Sequence, residues 1–221
     1  MLGLRKIGEG RYREVYSDSE RCYKVLKQVV RKQYTDEVNV IMHVDYPAQL
    51  YTALKFGIWD FNAHELSIYQ KMKKVVPEEH MNFIAPLERI ETVNDMSALV
   101  SKLIRDENGQ VSPTLAEYGR IQDAEFWDSL NAAYFEFEEQ GFPLFNLNDT
   151  NIVIQTTAKG IRPVIIDIKR TGLQTFPFQP WLFFREQRLR KTLRACHKVF
   201  ERYGDTYRLI KFTEVFSIPE K

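Results

Sequence analysis

The side chains best suited to binding or catalysis lie in residues 142–172, where amide and carboxylate groups flank two short apolar runs. Four of these side chains precede the first run and one follows the second: Asn146, Asn148, Asp149, Asn151 and Asp167. Oxygen ligands of this kind suit hard cations such as Mg²⁺. The stretch therefore predicts a site for a metal ion and its phosphate ligand.

The two apolar runs predict the element that positions these oxygens. Ile152 to Gln155 and Val164 to Ile166 have strand composition, and Gly160 and Pro163 lie between them. A turn segment between two such runs is typical of a β-hairpin. A hairpin would bring Asp167 back beside the polar loop.

A second candidate for phosphate chemistry lies near the N-terminus, in the sequence GEGRYREVY with Gly8 and Gly10. Glycine has no Cβ, so a glycine turn can present its backbone amides closely to phosphate. The next predicted strand, Cys22 to Leu26, is centred on Lys24. By itself a GxG pattern more often forms an ordinary hairpin.

The segment Asn62-Ala-His-Glu65 fits a capping box at the start of a helix. Glu65 then lies in the first turn of that helix. It could serve only the helix cap, or it could pair with a cation elsewhere in the chain.

Other stretches of the sequence predict strands and helices that would form the scaffold of the fold. Phe83 to Thr92 and Met96 to Ile104 have strand patterns, and Ser112 or Thr114 caps a short segment. Asp123 to Gln140 predicts a helix that ends at Gly141, with an apolar stripe of Phe126, Leu130, Ala133 and Phe137. Residues 29–56 carry no motif and are interpreted as an insertion.

A second helix is predicted from about Trp181 to Tyr203. It carries seven basic residues and two glutamates, a net charge of 7 − 2 = +5. Such a helix could meet nucleic acid, an anionic membrane or an acidic partner. It could equally be a solvated face that balances the acidic helix before it.

Bulk composition narrows the class of protein. The chain has 221 residues, 44% hydrophobic, with 31 basic and 30 acidic side chains. The net charge of +1 gives no global reason for nucleic-acid binding, and nucleic acid is not among the expected partners. Two distant cysteines argue against a disulfide framework or a zinc site, and no run predicts a signal peptide or a transmembrane segment. A cytoplasmic location is expected.

In order along the chain, these pieces resemble the protein kinase-like fold. IGEGRYREVY stands where the phosphate-covering loop GxGxxGxV would be, with Gly8, Gly10 and Val15 matching and Arg13 in place of the third glycine. The resemblance implies an α+β, bilobal fold with a reduced C-terminal lobe. It divides the chain into an N-lobe-like sheet and helix at 1–105, including the insertion, and a reduced helical lobe at 106–221.

The resemblance also assigns roles to individual residues. Lys24 in CYKVL resembles the lysine that orders the nucleotide phosphates, and Glu65 in HELSIY resembles its ion-pair partner. Asn151 in NLNDTNIVI and Asp167 in VIIDIK match the two ligands of Mg²⁺. Arg11 and Arg13 would add charge to phosphate in the loop that lacks a glycine. The implied cofactors are ATP and Mg²⁺, bound in the interlobe cleft.

A closer similarity is to the YrbL family, kinase-like bacterial proteins associated with the PhoP regulatory network. It rests on GxGRxRxxY near the N-terminus, an L-x-x-x-N-I-V loop, a D-x-x-x-x-G exit, and a tryptophan followed by a basic helix containing REQRL. An unrelated α+β domain with an accidental kinase-like pattern is the competing interpretation.

One departure from the kinase pattern bears on catalysis. Five residues before Asn151, where the family has its catalytic aspartate, this chain has Asn146, and Leu144 stands at the histidine position. An amide cannot accept the substrate proton, and general base catalysis contributes about 10²- to 10⁴-fold. Asp149 could supply a displaced carboxylate or merely cap the loop.

The expected function is therefore that of a kinase-like protein with atypical or weak phosphotransferase activity. Only 221 − 167 = 54 residues follow Asp167, too few for a large platform that docks protein substrates. The alternative is a catalytically inactive pseudokinase that acts as a regulatory binding module. The expected partners are a nucleotide and an unknown acceptor or partner protein.

Overall fold

The structure of the protein, a computed structural model, describes residues 3–10, 13–27, 60–142, 148–168, 199 and 201–204. These residues form seven strands and four helices, a mixed α/β arrangement. The chain divides into two compact units, one of Met1–Tyr69 with Pro86–Leu103 and one of Gln70–Ala85 with Ile104–Lys221. The predicted insertion at 29–56 lies outside the described residues, as does the predicted basic helix except for 199 and 201–203.

The first unit is built on an antiparallel sheet of five strands in the order β1-β2-β3-β5-β4. The strands are β1 (Arg5–Glu9), β2 (Arg13–Ser17), β3 (Arg21–Leu26), β4 (Leu87–Val93) and β5 (Met96–Lys102). The strands predicted around the glycine turn, Lys24 and the ALVSK segment are confirmed. In the β2–β3 turn, the Asp18 carboxylate accepts hydrogen bonds of 2.7 Å from the backbone amides of Glu20 and Arg21.

The alternation of side chains in β3 separates an apolar face of the sheet from a charged one. Tyr23 and Val25 pack with Ala98 and Val100 of β5 in a buried cluster. Since neighbouring residues of a strand point to opposite faces, Lys24 lies on the other face. The face that carries Lys24 is the one against which a helix can present a carboxylate.

Helix α1 (Phe61–Val75) begins two residues earlier than the predicted capping box requires. Asp60 is its cap, because the Asp60 carboxylate accepts hydrogen bonds from the backbone amides of Asn62 (2.7 Å) and Ala63 (3.1 Å). The capping role predicted for Asn62 is therefore wrong. Asn62 lies in the first turn instead, where its side chain is fully buried. A short helix, α2 (Glu78–Met81), follows α1.

The second unit contains α3 (Leu115–Tyr118) and α4 (Ala124–Glu139). Thr114 caps α3 in a complete capping box with Glu117, and Asp123 caps α4. The predicted apolar stripe of α4 is confirmed, since Phe126, Leu130, Ala133 and Phe137 are all at most 1% exposed. Gly141 follows the helix with φ 81°, a left-handed conformation that glycine adopts without strain.

The predicted hairpin is confirmed as β6 (Ile152–Thr157) and β7 (Gly160–Ile165), but its turn is tighter than predicted. Gly160 pairs with Thr157, so Ala158 and Lys159 make the turn, and Pro163 lies inside β7 opposite Ile154. Proline is tolerated there because the Ile154 amide donates instead to the Pro113 carbonyl at 2.8 Å. Residues 83–85 run beside β7, with hydrogen bonds from Ile165 to Phe83 and from Ala85 to Ile165.

Among the described residues, no helix has both the length and the apolar composition needed to cross a membrane.

Candidate functional site

Lys24 is held in the middle of the sheet, with β2 on one side of its strand and β5 on the other. It is paired with Val15 of β2 and Leu99 of β5. Leu99 is fully buried, and Lys24 itself is only 7% exposed. A lysine in such surroundings needs a partner for its charge, because burying an unpaired ammonium is costly.

That partner is Glu65 of α1. The Lys24 Nζ donates a hydrogen bond of 2.7 Å to Glu65 Oε1, and the glutamate is fully buried. The pair joins residues that are 41 positions apart, so it fixes the N-terminal part of α1 to the centre of the sheet. The interpretation of Glu65 as a residue that serves only the helix cap is wrong.

Glu65 has a second cationic partner. The Arg13 Nη1 donates to Glu65 Oε2 at 2.5 Å and to Asn62 Oδ1 at 3.1 Å. The Asn62 amide in turn donates at 2.9 Å to the backbone carbonyls of Lys24 and Ser97. We call these four residues, Arg13, Lys24, Asn62 and Glu65, the glutamate cluster. It links β2, β3 and β5 to the first turn of α1.

The glycine hairpin lies at one end of the first two strands. Gly8 pairs with Val15, and the Gly10 amide donates to the Arg13 carbonyl at 2.8 Å. A Cβ added at Gly10 would lie 3.6 Å from that oxygen, and one at Gly8 would lie 3.7 Å from Val15, both ordinary contacts. Neither glycine has a positive φ. The packing of the described residues therefore does not itself require glycine at either position. Arg11 lies outside the described residues.

In the second unit, the register of the hairpin places Asn151 and Asp167 at its open end. The amide of Ile166, the residue before Asp167, donates to the Asn151 carbonyl at 3.0 Å. The Asn151 amide donates to the Asn148 carbonyl at 3.1 Å, which closes the loop before β6. Asn151 and Asp167 are both half-buried. Asn146 lies outside the described residues.

Asp149 has structural partners within the second unit. Its Oδ2 accepts a hydrogen bond of 2.6 Å from the Tyr203 hydroxyl, and Arg202 Nη1 lies 3.5 Å away. The Asp149 carbonyl accepts from the Ala116 amide at 3.2 Å. The hydrogen bond to the Asp149 carboxylate raises the pKa of Tyr203 above its usual value. Asp149 thus ties its loop to residues near the C-terminus.

The side-chain oxygens of Asn151 and Asp167 are of the type that binds a magnesium ion held partly by substrate phosphates. In the described part of the chain, no group of three or more histidine, cysteine or acidic residues is assembled into a metal site. Mg²⁺ commonly takes only one or two protein carboxylates and completes its shell with water and substrate phosphates. Asp167, with the amide oxygen of Asn151, matches that sparse requirement.

Two features of the site were missed by the sequence interpretation. Strand periodicity places Arg13 on the same face as Val15, and Val15 lies opposite Lys24, so alternation in β2 contained the signal for Arg13. The contact of Tyr203 with Asp149 joins residues 54 positions apart and had no local signal.

Comparisons with known proteins give structural similarity only. No protein family model matches the chain, and no curated protein matches it. The solved structures to which it is similar include a protein kinase domain. The PknI kinase domain of Mycobacterium tuberculosis matches 76% of this chain with a TM-score of 0.41 and 13% sequence identity. A double mutant of that domain matches 76% of this chain with a TM-score of 0.43 and 11% identity. The chain spans 60% of the length of either domain.

Proposed function

We propose that the chain is a kinase-like protein that binds Mg²⁺-ATP and has atypical or weak phosphotransferase activity. The observation that carries the proposal is the buried ion pair between Lys24 and Glu65, whose atoms lie 2.7 Å apart. The proposal assigns to Lys24 the ordering of the phosphates and to Glu65 the orientation of Lys24.

The burial of this pair favours a functional role over a purely stabilising one. Removing two charges from water costs free energy that their attraction only partly returns, so a buried ion pair is weak evidence of stabilisation. Buried ionisable groups held by specific charged partners are enriched at functional sites. A lysine fixed in this way is preorganised to meet an anion, which is the requirement for phosphate recognition.

The remaining roles follow from the residue types. The proposal assigns the metal to Asn151 and Asp167, and bound Mg²⁺ would neutralise charge on the phosphates. Gly8 and Gly10 are assigned to the loop that covers the phosphates. Their lack of a Cβ is not explained by the packing of the described residues, whereas close approach of a phosphate to the backbone would explain it. The YrbL-like motifs support membership of that family as part of this proposal.

A second candidate function is a catalytically inactive pseudokinase that binds a partner protein. The observation that favours it is the contact between Asp149 and Tyr203, since the only carboxylate proposed to replace the missing catalytic aspartate accepts a hydrogen bond of 2.6 Å from a tyrosine. In this candidate, nucleotide binding would stabilise a surface and Asp149 would anchor the loop. Mg²⁺-ATP would then raise the melting temperature without any turnover.

Thermal shift with Mg²⁺-ATP tests nucleotide binding. A ligand that binds only the native state at about 100 times its Kd stabilises it by about 2.7 kcal/mol, so the melting temperature should rise with nucleotide concentration. The rise should disappear in Lys24→Met and persist in the control Lys102→Met, which makes the same change at an exposed residue of the same sheet. An equal rise in Lys24→Met would reject the role of Lys24.

Transfer of label from ATP to the protein or to candidate acceptors separates the two candidates. Phosphotransferase activity predicts transfer that is lost in Asp167→Ala and retained in Asp128→Ala, a control on the exposed side of α4. Stabilisation by nucleotide with no transfer would favour the pseudokinase. Equal transfer by Asp167→Ala would overturn the assignment of that residue to the metal.

A further inference from the structure

The start of α1 is attached to β5 through both its cap and its first turn. The Ser97 hydroxyl of β5 donates at 3.0 Å to Asp60 Oδ2, while Asp60 Oδ1 accepts from the backbone amides that it caps. The Ser97 carbonyl accepts at 2.9 Å from the side-chain amide of Asn62. We call Asp60, Asn62 and Ser97 the α1 anchor. The hydrogen bonds among these three residues join the helix to the sheet without any basic side chain.

Asn62 is held in place by the backbones of two strands. Its side chain is fully buried, and its NH₂ group donates at 2.9 Å to the carbonyls of Lys24 in β3 and Ser97 in β5. Its oxygen accepts from Arg13 Nη1 at 3.1 Å. Leaving buried polar groups without partners costs free energy, so the Asn62 side chain has little freedom to shift. The backbone of the sheet therefore fixes the position of the first turn of α1.

The position of Asn62 determines where the Glu65 side chain begins. The two residues are three positions apart in α1, so they lie on the same face of the helix, about one turn from each other. One of the carbonyls that hold Asn62 belongs to Lys24, the residue whose ammonium donates to Glu65 at 2.7 Å. The α1 anchor thus fixes the backbone on both sides of this ion pair.

A fixed backbone matters for an ion pair between two long side chains. Lysine and glutamate both have several rotatable bonds, so attraction alone would allow many arrangements of the two charged groups. A buried ion pair recovers its cost of desolvation only when its geometry is good. Because hydrogen bonds outside the ion pair hold the helix, the Glu65 carboxylate is presented at one position, and it directs the Lys24 ammonium from there.

We infer that Asn62 and Ser97 are positioning residues for phosphate binding: they hold α1 where Glu65 orients Lys24. The inference rests on the proposed function and deepens it, because it names what fixes Glu65. Neither Asn62 nor Ser97 is assigned a contact with nucleotide. Both act on the phosphates through the ion pair, so a ligand without phosphates should not respond to their loss.

Isothermal titration with two ligands, Mg²⁺-ATP and adenosine, tests the inference. Adenosine lacks the phosphates that the proposed function assigns to Lys24. Ser97→Ala removes one hydrogen bond of the α1 anchor, and the Kd for Mg²⁺-ATP should rise by about two- to tenfold, the factor that corresponds to the net free energy of one hydrogen bond. Asn62→Ala removes the bonds to both carbonyls and should raise that Kd by at least as much. The Kd for adenosine should stay the same in both variants.

Two further variants separate positioning from a general loss of stability. Ser97→Thr keeps the hydroxyl and should return the Kd for Mg²⁺-ATP to that of the unchanged protein. Ser101→Ala is the matched control, because it makes the same change at a buried serine of the same strand, one that pairs with Cys22 of β3. It should leave both Kd values unchanged. If Asn62→Ala does not fold, Ser97→Ala carries the test, since Ser97 is only half-buried.

The outcomes separate the inference from the proposed function. If the unchanged protein binds no Mg²⁺-ATP, the proposed function fails and the inference falls with it. If the unchanged protein binds Mg²⁺-ATP and the anchor variants bind it with the same Kd, only the inference is overturned. An equal weakening of adenosine binding would also overturn it, since the substitutions would then disturb the whole site. So would failure of Ser97→Thr to restore the Kd, because the effect would not come from the hydrogen bond.

Discussion

Two carboxylates, one in each unit, illustrate how burial changes the meaning of the same contacts. Glu65 in the first unit and Asp149 in the second each contact two or more side-chain donors. The donors to Glu65 include Lys24 and Arg13, and the whole group is buried. Those of Asp149 are the Tyr203 hydroxyl and the Arg202 guanidinium, the latter 73% exposed.

The difference lies in what remains when a partner is removed. Removing a partner of Glu65 would leave a buried charge with less favourable electrostatic interaction. Removing a partner of Asp149 would let water take the partner's place. The glutamate cluster is therefore expected to tolerate substitution poorly, and the Asp149 contacts to act as a modest anchor for the loop. Substitutions at each carboxylate and its partners test this contrast.

The largest effect is expected for Glu65→Gln. This change leaves Arg13 and Lys24 buried with an amide between them, and breaking a buried ion pair by removing one partner typically costs about 3–5 kcal/mol. The free energy of unfolding, measured by urea denaturation, should fall by that amount.

The matched control is Glu88→Gln. Glu88 also has two cationic partners, Arg21 at 3.0 Å and Arg89 at 2.8 Å, but all three side chains are at least one-third exposed. Exposed pairs are worth about 0–1 kcal/mol, so the control should cost no more than that. Similar losses for Glu65→Gln and Glu88→Gln would show that burial does not distinguish the two sites.

Tyr203→Phe tests the other side of the contrast. It removes the hydroxyl that donates to Asp149, and we expect a lower melting temperature with a smaller loss than at Glu65, because the half-buried carboxylate can be hydrated. Tyr118→Phe, the same change at an exposed residue of the same unit, should have no effect.

The same variant decides what Asp149 does. If Asp149 only anchors its loop, transfer of label from ATP should not increase in Tyr203→Phe. An increase in transfer with an unchanged melting temperature would contradict the anchoring role and favour a displaced catalytic carboxylate.

The glutamate cluster could be predicted in part from sequence, and the reason is periodicity. Lys24 lies in a run of strand-forming residues, and Glu65 lies near the start of a helix that the spacing of its apolar residues predicts. The prediction that Asn62 caps α1 is wrong, because a two-residue difference in the start of α1 moves the cap to Asp60 and turns Asn62 toward the sheet. The alternation of side chains in β2, followed through to its face, would have placed Arg13 on the same face as Val15, opposite Lys24.

The side-chain partners of Asp149 could not be predicted from the sequence. The hairpin of β6 and β7 and the half-buried loop before it follow from strand composition and turn residues. The partner of Asp149 is set by where Tyr203 lies in the folded unit, and Ile121 fixes that position by donating its amide to the Tyr203 carbonyl at 2.8 Å. No local pattern encodes a contact between chain segments so distant along the sequence.

A moderate effect is expected for Thr114→Ala, which removes the cap of α3. Thr114 also lies in an isolated bridge with Val153 of β6, and the Ala116 amide in α3 bonds to the carbonyl of Asp149. Loss of a capping threonine costs about 1 kcal/mol, which urea denaturation can measure. Thr92→Ala, at an exposed threonine of β4, is the control. An equal loss of unfolding free energy in this control would show that the loss in Thr114→Ala does not come from the helix cap.

The smallest effect is expected at Glu9, which extends the contrast to an exposed carboxylate. Glu9 also has two cationic partners: Lys27 at 2.5 Å and Lys6 at 2.7 Å. The hydrogen bond from Lys27, followed by that from Lys6, lowers the pKa of Glu9 from 4.5 to about 2. Because this pKa is lower in the folded state, the stabilisation is present above about pH 4.5 and is lost as the pH falls toward 2.

Glu9→Gln should therefore reduce the dependence of the unfolding free energy on pH in that acid range. Since the carboxylate and its partners are in water, the difference between the two proteins should shrink in about 1 M salt, where the screening length is about 3 Å. If salt does not reduce the difference between the two proteins, the conclusion that the Glu9 carboxylate interacts with its partners in water would be contradicted. Measured together, Glu65, Asp149 and Glu9 would then show how burial changes what a carboxylate's charged and polar contacts contribute to stability.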